Sequence, residues 1–462
     1  MGLTLEISFT DTKLEASIIT KVMFYLSAEN IMLRTLGGNK VNINDDELLR
    51  QNPFQFNWRE KYIACVGDNG GTTNDDILVG FKAAALLIIN DIKHGHGTED
   101  ELIYPLVYSI RHSVELALKI SINLIRDICD LKSVNFCIEE KKLHTHDIQK
   151  LSCFVKQLYS IDRRIPELFN NALEYAKDFC FDKQSDVFRY ECNLERKKLL
   201  KELHISHICI GTLEKKFLRM YYLLDCAINY LSTMKDEYSV QSYTKQLSRY
   251  DIEQISKELM PISRWREKSF NENKNKIKIK YSISGNELSK AIDIIKTNPL
   301  FANNISYTIL LGSVSDEDLK KYANLIAEFT DDQIFETKEC NVGDGTLELL
   351  KKLPERTKKR KLLAAEIPNE ALFSIAAFGK MVETNDCFCE NYQKHYDYFK
   401  NNKFINRDWL VEKIGTYSFA LKVLKAMKWC GQSSYMNILN PLIKKIAEDN
   451  NIPLNYEEWD HS

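Results

Sequence analysis

From Tyr104 to Arg126 the chain reads YPLVYSIRHSVELALKISINLIR, a run free of glycine. Val107, Ile110, Val114, Ala117, Leu118, Ile125 and, just beyond, Ile128 recur at steps of three and four. That is the spacing of one face of an α-helix. Arg111, Glu115, Lys119 and Arg126 fall on another stripe. A helix reaching Asp130 is roughly 40 Å long at 1.5 Å per residue, which demands neighbours of similar length along its apolar side. Its start is constrained by Pro105, which lacks an N–H and crowds the preceding turn. The spacing predicts a short first turn, with Thr98 and Glu101 at capping-box distance, and then the main helix with Pro105 near its beginning.

Partners for that apolar face are at hand. Ile77 to Lys93 is a second amphipathic helix, with Phe81, Ala84, Ala85, Ile88 and Ile89 inward and Asp75 or Asp76 as its cap. Thr145 or Asp147 caps a helix over Ile148 to Tyr159, and another runs from Ile165 to Phe179. SDVFRYE, Ser185 to Glu191, reads as an extended or turn segment. Long helical patterns fill Leu194 to Met234, enough to close a bundle. The polar stretch Lys235 to Tyr250 marks a boundary.

Beyond it, the alternation in KIKIKYSIS suggests that Asn271 to Ser284 forms a hairpin arm or edge strand with one basic face. Ser284 with Glu287 and Ser315 with Asp318 predict starts for helices over Leu288 to Lys296 and Leu319 to Phe329. Further helices are expected at Leu347 to Leu353, Asn369 to Met381, Trp409 to Trp429 and Tyr435 to Glu448. No repeat period runs through them. Residues 3 to 9 suit a short strand and Leu14 to Leu36 a helix ended by Gly37-Gly38. The resulting expectation is an all-α fold with an irregular N-terminal region at 1–60, a helical bundle at 61–240 and a second helical C-terminal domain at 241–462.

Composition excludes several classes. With 44% hydrophobic and 28% charged residues the chain has ample material for a core. A formal net charge of -2 argues against a surface that is basic throughout, so any nucleic-acid site must be local. The start, MGLTLEISFTDTKLEAS, lacks the basic and apolar pattern of a secretory signal. The longest apolar run, Ala83 to Ile89, is far short of the roughly 20 residues that cross a bilayer. No membrane association and a cytoplasmic location are the expectation. Twelve scattered cysteines read as reduced thiols.

Several constellations carry possible chemistry. Arg111, His112, Glu115 and Lys119 are either a solvated stripe of i,i+4 pairs, worth about 0.2–0.5 kcal/mol each, or a polar patch in a bundle groove. In a groove, the arginine fork suits phosphate oxygens and the imidazole moves protons near neutral pH. His144, Thr145, His146 and Asp147 are either a helix cap or part of that patch. His204 and His207 form H-x-x-H, which on a helix places both rings on one face. Two dense basic runs, Lys274 to Lys280 and Arg356 to Lys361, are solvated faces or contacts for nucleic-acid phosphates. The glycine-rich GDNGGTTNDD lacks the lysine and hydroxyl of a P-loop and reads as a surface loop. His94 and His96 in HGHG have no third ligand at convincing spacing, Cys387 and Cys389 make no C-x-x-C pair, and no metal or other cofactor is expected.

The run His112, Glu115, Lys119 in RHSVELALK, followed about thirty residues later by His146-Asp147 in LHTHDIQKL, resembles HEPN domains (higher eukaryotes and prokaryotes nucleotide-binding). The resemblance covers Gly80 to Leu151 and extends weakly to Val240. It implies an antiparallel helical bundle and an RNA-directed protein of stress or phage-defence type. If catalytic, such a protein is a metal-independent endoribonuclease. The alternative is a non-enzymatic, dimerising module that binds a nucleotide, RNA or a protein, with a protein partner docking through the C-terminal domain. Catalytic members carry arginine, four to six residues, then histidine near the start of the last bundle helix. Here Arg196 and His204 are separated by seven residues. Arg111, His112, His146, His204 and His207 are the candidate catalytic residues, and Lys119, Arg189, Lys358, Lys359 and Arg360 the candidate RNA contacts.

Overall fold

The structure, a computed structural model, describes residues 49–450 apart from 58, 60, 194 and 337–357, together with 452. The strand expected at residues 3 to 9, the helices at Leu14 to Leu36 and Leu347 to Leu353, and Arg356 lie outside the described residues. The chain divides into two units between Thr72 and Thr73. In the first, Phe54, Phe56, Tyr62 and Val66 are exposed, and the glycine-rich loop makes a single 3-10 turn at Gly67–Asn69. Gly67 and Gly71 have φ of +57° and +56°, the left-handed region that glycine enters without a Cβ penalty.

The second unit is all-α, with no strand among its described residues. It begins with α1 (Asn74–Lys93), α2 (Glu99–Leu131), α3 (Ile148–Gln157), α4 (Ile165–Ala176) and α5 (Ile210–Ser239), besides single turns at Glu140–Leu143 and Leu199–Glu202. The cap of α1 falls on Thr73: its hydroxyl accepts from Asp76 N–H, and Asp76 returns the favour to Thr73 N–H in a capping box. Asp147 caps α3 by accepting from Gln149 and Lys150 N–H. The helix α2 is continuous through Pro105, without the separate first turn or the Thr98 side-chain cap that the spacing suggested. It packs against α1, α3 and α5, and α5 packs against α4. Leu106, Ile110, Leu118, Ile125, Phe169 and Phe217 fill the space between them.

The helical patterns expected over Leu194 to Met234 are interrupted by a stretch without helix. After Leu199–Glu202 the chain runs without helix to Cys209, and His204 sits at φ +53°. The H-x-x-H pair therefore lies on a connection, and the shared helical face predicted for its two rings does not exist.

After the bundle come α6 (Arg249–Glu258), α7 (Lys268–Tyr281), α8 (Gly285–Thr297) and α9 (Pro299–Asn304). The lysine-rich stretch predicted as a hairpin arm or edge strand is the helix α7. Phe270 and Ile277, two turns apart, are its buried residues, whereas Ile279, which completed the apparent alternation, is 80% exposed. Trp265 stacks on Phe270 at 4.9 Å, so an aromatic pair fixes the helical phase. The last part contains α10 (Asp316–Glu336), α11 (Lys358–Ala365), α12 (Asn369–Glu383), α13 (Tyr392–Asn401), α14 (Arg407–Ile414), α15 (Tyr417–Trp429) and α16 (Ser433–Asp449). The single helix expected over Trp409 to Trp429 breaks at Gly415, where Thr416 caps α15 through Phe419 N–H. The predicted caps Ser284 and Ser315 both form.

Beyond Tyr238 the buried apolar side chains fall into two clusters, one between Leu247 and Ile305 and one between Val314 and Ala447. No single described helix is long and apolar enough to cross a membrane. The pair α11 and α12, bent by 104°, reaches that apolarity together, but Leu372, Ile375, Phe378 and Met381 of α12 are fully buried within the protein.

Candidate functional site

The polar residues of α2 are not a solvated stripe. Arg111 and Glu115 are each 1% exposed. Arg111 donates from Nη1 to Glu115 Oε2 at 3.0 Å and from Nη2 to the carbonyls of His146 and Asp182 at 2.5 and 2.8 Å. Its Nε lies 3.0 Å from Asp182 Oδ2, an ion-pair contact without hydrogen-bond alignment. One guanidinium thus ties α2 to the turn before α3 and to the loop after α4. This use of a planar, five-donor fork suits an interior where each carbonyl must find a partner.

Glu115 is the hub. Its Oε1 accepts from Lys119 Nζ at 2.8 Å and lies 2.9 Å from His146 Nδ1. An ionised carboxylate only accepts, so His146 carries its proton on Nδ1. Burial works to raise the Glu115 pKa, but the hydrogen bonds from Lys119 and His146 and their charges outweigh it and hold the carboxyl below its ordinary value. The His146 side chain is 55% exposed, and no partner for its Nε2 is found among the described residues. An exposed imidazole, oriented by a buried carboxylate and flanked by the partly exposed Lys119, is an arrangement able to move a proton beside positive charge.

One turn towards the start of α2, His112 packs edge-on against Phe81 with ring centroids 4.4 Å apart and lies parallel to Tyr108 at 5.8 Å. Burial pushes its pKa down, with Glu115 opposing and Arg111 adding to the fall, so the ring is neutral at neutral pH. Tyr108 also meets Arg189, whose guanidinium is 5.5 Å from that ring and 5.2 Å from Tyr190. Arg189, Tyr190, Tyr104, Lys198, Lys201 and His204 line an open cleft of about 700 Å³. His207 lines a smaller neighbouring one of about 280 Å³, which shares Tyr104, Phe188 and Ser206.

No family model matches the chain, and no curated protein or solved structure matches it either.

The candidates divide accordingly. His146 and Lys119 meet at Glu115, and Arg189 and His204 meet in one cleft. Arg111, expected to grip a phosphate, is walled in and its fork is spent on protein groups. His112 is wedged among aromatic rings. No hydrogen bond or ring contact among the described residues joins His204 or His207 to Arg111 or His112. The basic run at α11 is largely committed. Lys359 pairs with Glu328 at 2.6 Å, Arg360 donates to the Glu328 carbonyl, and Lys361 pairs with Asp408; Lys358 is exposed. Glu115, read from sequence as a member of i,i+4 pairs or of a polar patch but not as a candidate site residue, is the residue that organises the site. Asp182 gave no signal. Tyr104 and Tyr108 stand one turn apart ahead of His112, and that spacing was the available clue. No group of three His, Cys, Asp or Glu side chains among the described residues is placed to hold a metal ion.

Proposed function

We propose that this chain is a HEPN-like, RNA-directed protein that cleaves single-stranded RNA without a metal ion, with His146 as its proton-transfer group. The observation that carries the reading is the dyad itself, an exposed imidazole whose Nδ1–H is held by the buried Glu115 carboxylate. In the step envisaged, His146 Nε2 takes the proton from a ribose 2′-hydroxyl, whose oxygen attacks the adjoining phosphorus. The bond to the 5′-oxygen breaks, and the proton is returned to that oxygen. The products are a 2′,3′-cyclic phosphate and a 5′-hydroxyl, with no net change in protons. Lys119 supplies positive charge beside the phosphorane. The cleft with Arg189, Tyr190 and Lys201 offers cationic and stacking surfaces for the strand.

The burial of Arg111 favours the second reading, in which the bundle binds RNA and does no chemistry. One experiment separates them. Pure full-length protein is incubated with single-stranded RNA in EDTA, alongside His146→Ala. Cleavage leaving cyclic phosphate ends, lowered about 10²- to 10⁴-fold by the substitution, is expected for general acid–base catalysis. Intact RNA with the wild type, or equal cleavage by both, removes the ribonuclease assignment. Retarded but uncut RNA supports the binding module.

A further inference from the structure

A third opening, of about 740 Å³, has on its wall His144, Thr145 and Asp147, the chain neighbours of His146. Lys141, Lys142, Lys150 and Lys183 also line it, together with Phe154. These lysines come from three separate parts of the chain: the turn Glu140–Leu143, helix α3, and the loop after α4. Lys142 bonds Glu139 at 2.9 Å. No carboxylate among the described residues pairs with Lys141, Lys150 or Lys183. The one carboxylate on the wall, Asp147, is committed to capping α3. Three lysines without a carboxylate partner among the described residues, and a fourth paired with Glu139, therefore line one opening whose wall carboxylate caps α3, a local excess of positive charge that a polyanion relieves.

The placement relative to the dyad is fixed by covalent and hydrogen-bonded neighbours. Lys183 follows Asp182, and Asp182 is held by the same Arg111 guanidinium that holds the His146 carbonyl. We propose that this opening is a phosphate subsite that grips the backbone of a single-stranded RNA next to the bond presented to His146. Phe154 offers a face for a neighbouring base. The inference rests on the RNA-directed reading of the dyad and names a part of its substrate, a strand of several nucleotides.

The test uses the full chain and a 2′-O-methyl RNA of about ten nucleotides, which binds but cannot be cut, in EDTA at several salt concentrations. The double variant Lys150→Gln/Lys183→Gln is compared with wild type and with Lys274→Gln/Lys276→Gln as a control elsewhere. Loss of two phosphate contacts is expected to reduce the slope of log affinity against log salt by about 1.4 and to weaken binding roughly tenfold at 0.1 M salt. The control leaves both unchanged. Unaltered slope and affinity in the double variant, or no RNA binding by the wild type, overturns the subsite. Tripolyphosphate is titrated in parallel. Equal affinity for it and for the strand, lost together in the variant, overturns the assignment to RNA in favour of a free polyphosphate. The two proposals fail separately: uncut natural RNA with the slope change present removes the nuclease and keeps the subsite. Cleavage dependent on His146 with no slope change does the reverse.

Discussion

Replacing Arg111 with alanine removes the cation at the centre of the bundle and leaves two carboxylates, Glu115 and Asp182, inside it. Glu115 keeps Lys119 and His146 on Oε1 but loses its partner on Oε2, and Asp182 keeps, among the described residues, the Asp186 N–H alone. The carbonyls of His146 and Asp182 lose their donor as well. Removing one partner of a buried ion pair costs about 3–5 kcal/mol, chiefly because the other charge stays behind unpaired. For a bundle of this size that corresponds to a fall in melting temperature of roughly 10 °C. Circular dichroism at 222 nm follows it, together with urea titration of the same samples. The cause is tested by adding Glu115→Gln and Asp182→Asn to Arg111→Ala. Neutralising the stranded acids is expected to recover at least half of the loss. Arg111→Lys, with one ammonium in place of a fork, recovers less than half. An Arg111→Ala protein that melts within about 2 °C of wild type refutes the buried-hub reasoning, and so does a triple variant no more stable than the single one.

Three further outcomes are expected. The carboxyl of Glu115, and that of buried Asp162, which accepts from Arg164 and from the Tyr238 hydroxyl, are held below their ordinary values against the opposing effect of burial, so their stabilisation is complete above about pH 4.5 and lost as pH falls through the depressed values. The urea midpoint should drop from pH 5 to pH 3, and less so in Glu115→Gln. His112 is likewise depressed, so stability tied to its neutral ring is full above about pH 6.5 and declines below it; His112→Phe should flatten the urea midpoint between pH 7 and 5. In the C-terminal cluster, a Cβ at Gly379 would collide with the Phe419 ring, so Gly379→Ala should cost about 1–3 kcal/mol, partly restored by Phe419→Leu, as read by denaturant melts.

The elements were legible where local chemistry decides them. The apolar spacing of α2, the caps at Asp147, Ser284 and Ser315, and the all-α class follow from side chains within a few residues of one another. Errors arose where a distant group set the outcome. Nothing local distinguishes a solvated Arg111–Glu115 pair from a buried one, because the i,i+4 spacing is the same in both. Burial is imposed by carbonyls that arrive from 35 and 71 residues further along the chain. The alternation at KIKIKY imitated a strand because it was read without Phe270 and Trp265, whose stacking sets the helical phase. At His204, local spacing suggested helix, but the chain turns through a left-handed residue and sends its ring into the Arg189 cleft.

The contrast between Arg111 and His146 separates structure from function at this site. Glu115 is already compensated by Arg111 and Lys119, both in hydrogen-bond contact with it. A third partner that is more than half exposed adds little, since ion pairs reaching solvent contribute about 0–1 kcal/mol. The bundle is expected to stay folded without the His146 imidazole. What the Glu115 bond does achieve is to fix the tautomer and aim of a ring whose chain neighbours Thr145 and Asp147 line the lysine-rich opening. A side chain so expendable for stability and so constrained in orientation is what the proposed proton transfer requires. His146→Ala should therefore leave melting nearly unchanged while lowering the proposed cleavage about 10²- to 10⁴-fold, whereas Arg111→Ala should unfold the bundle more readily before RNA is ever added.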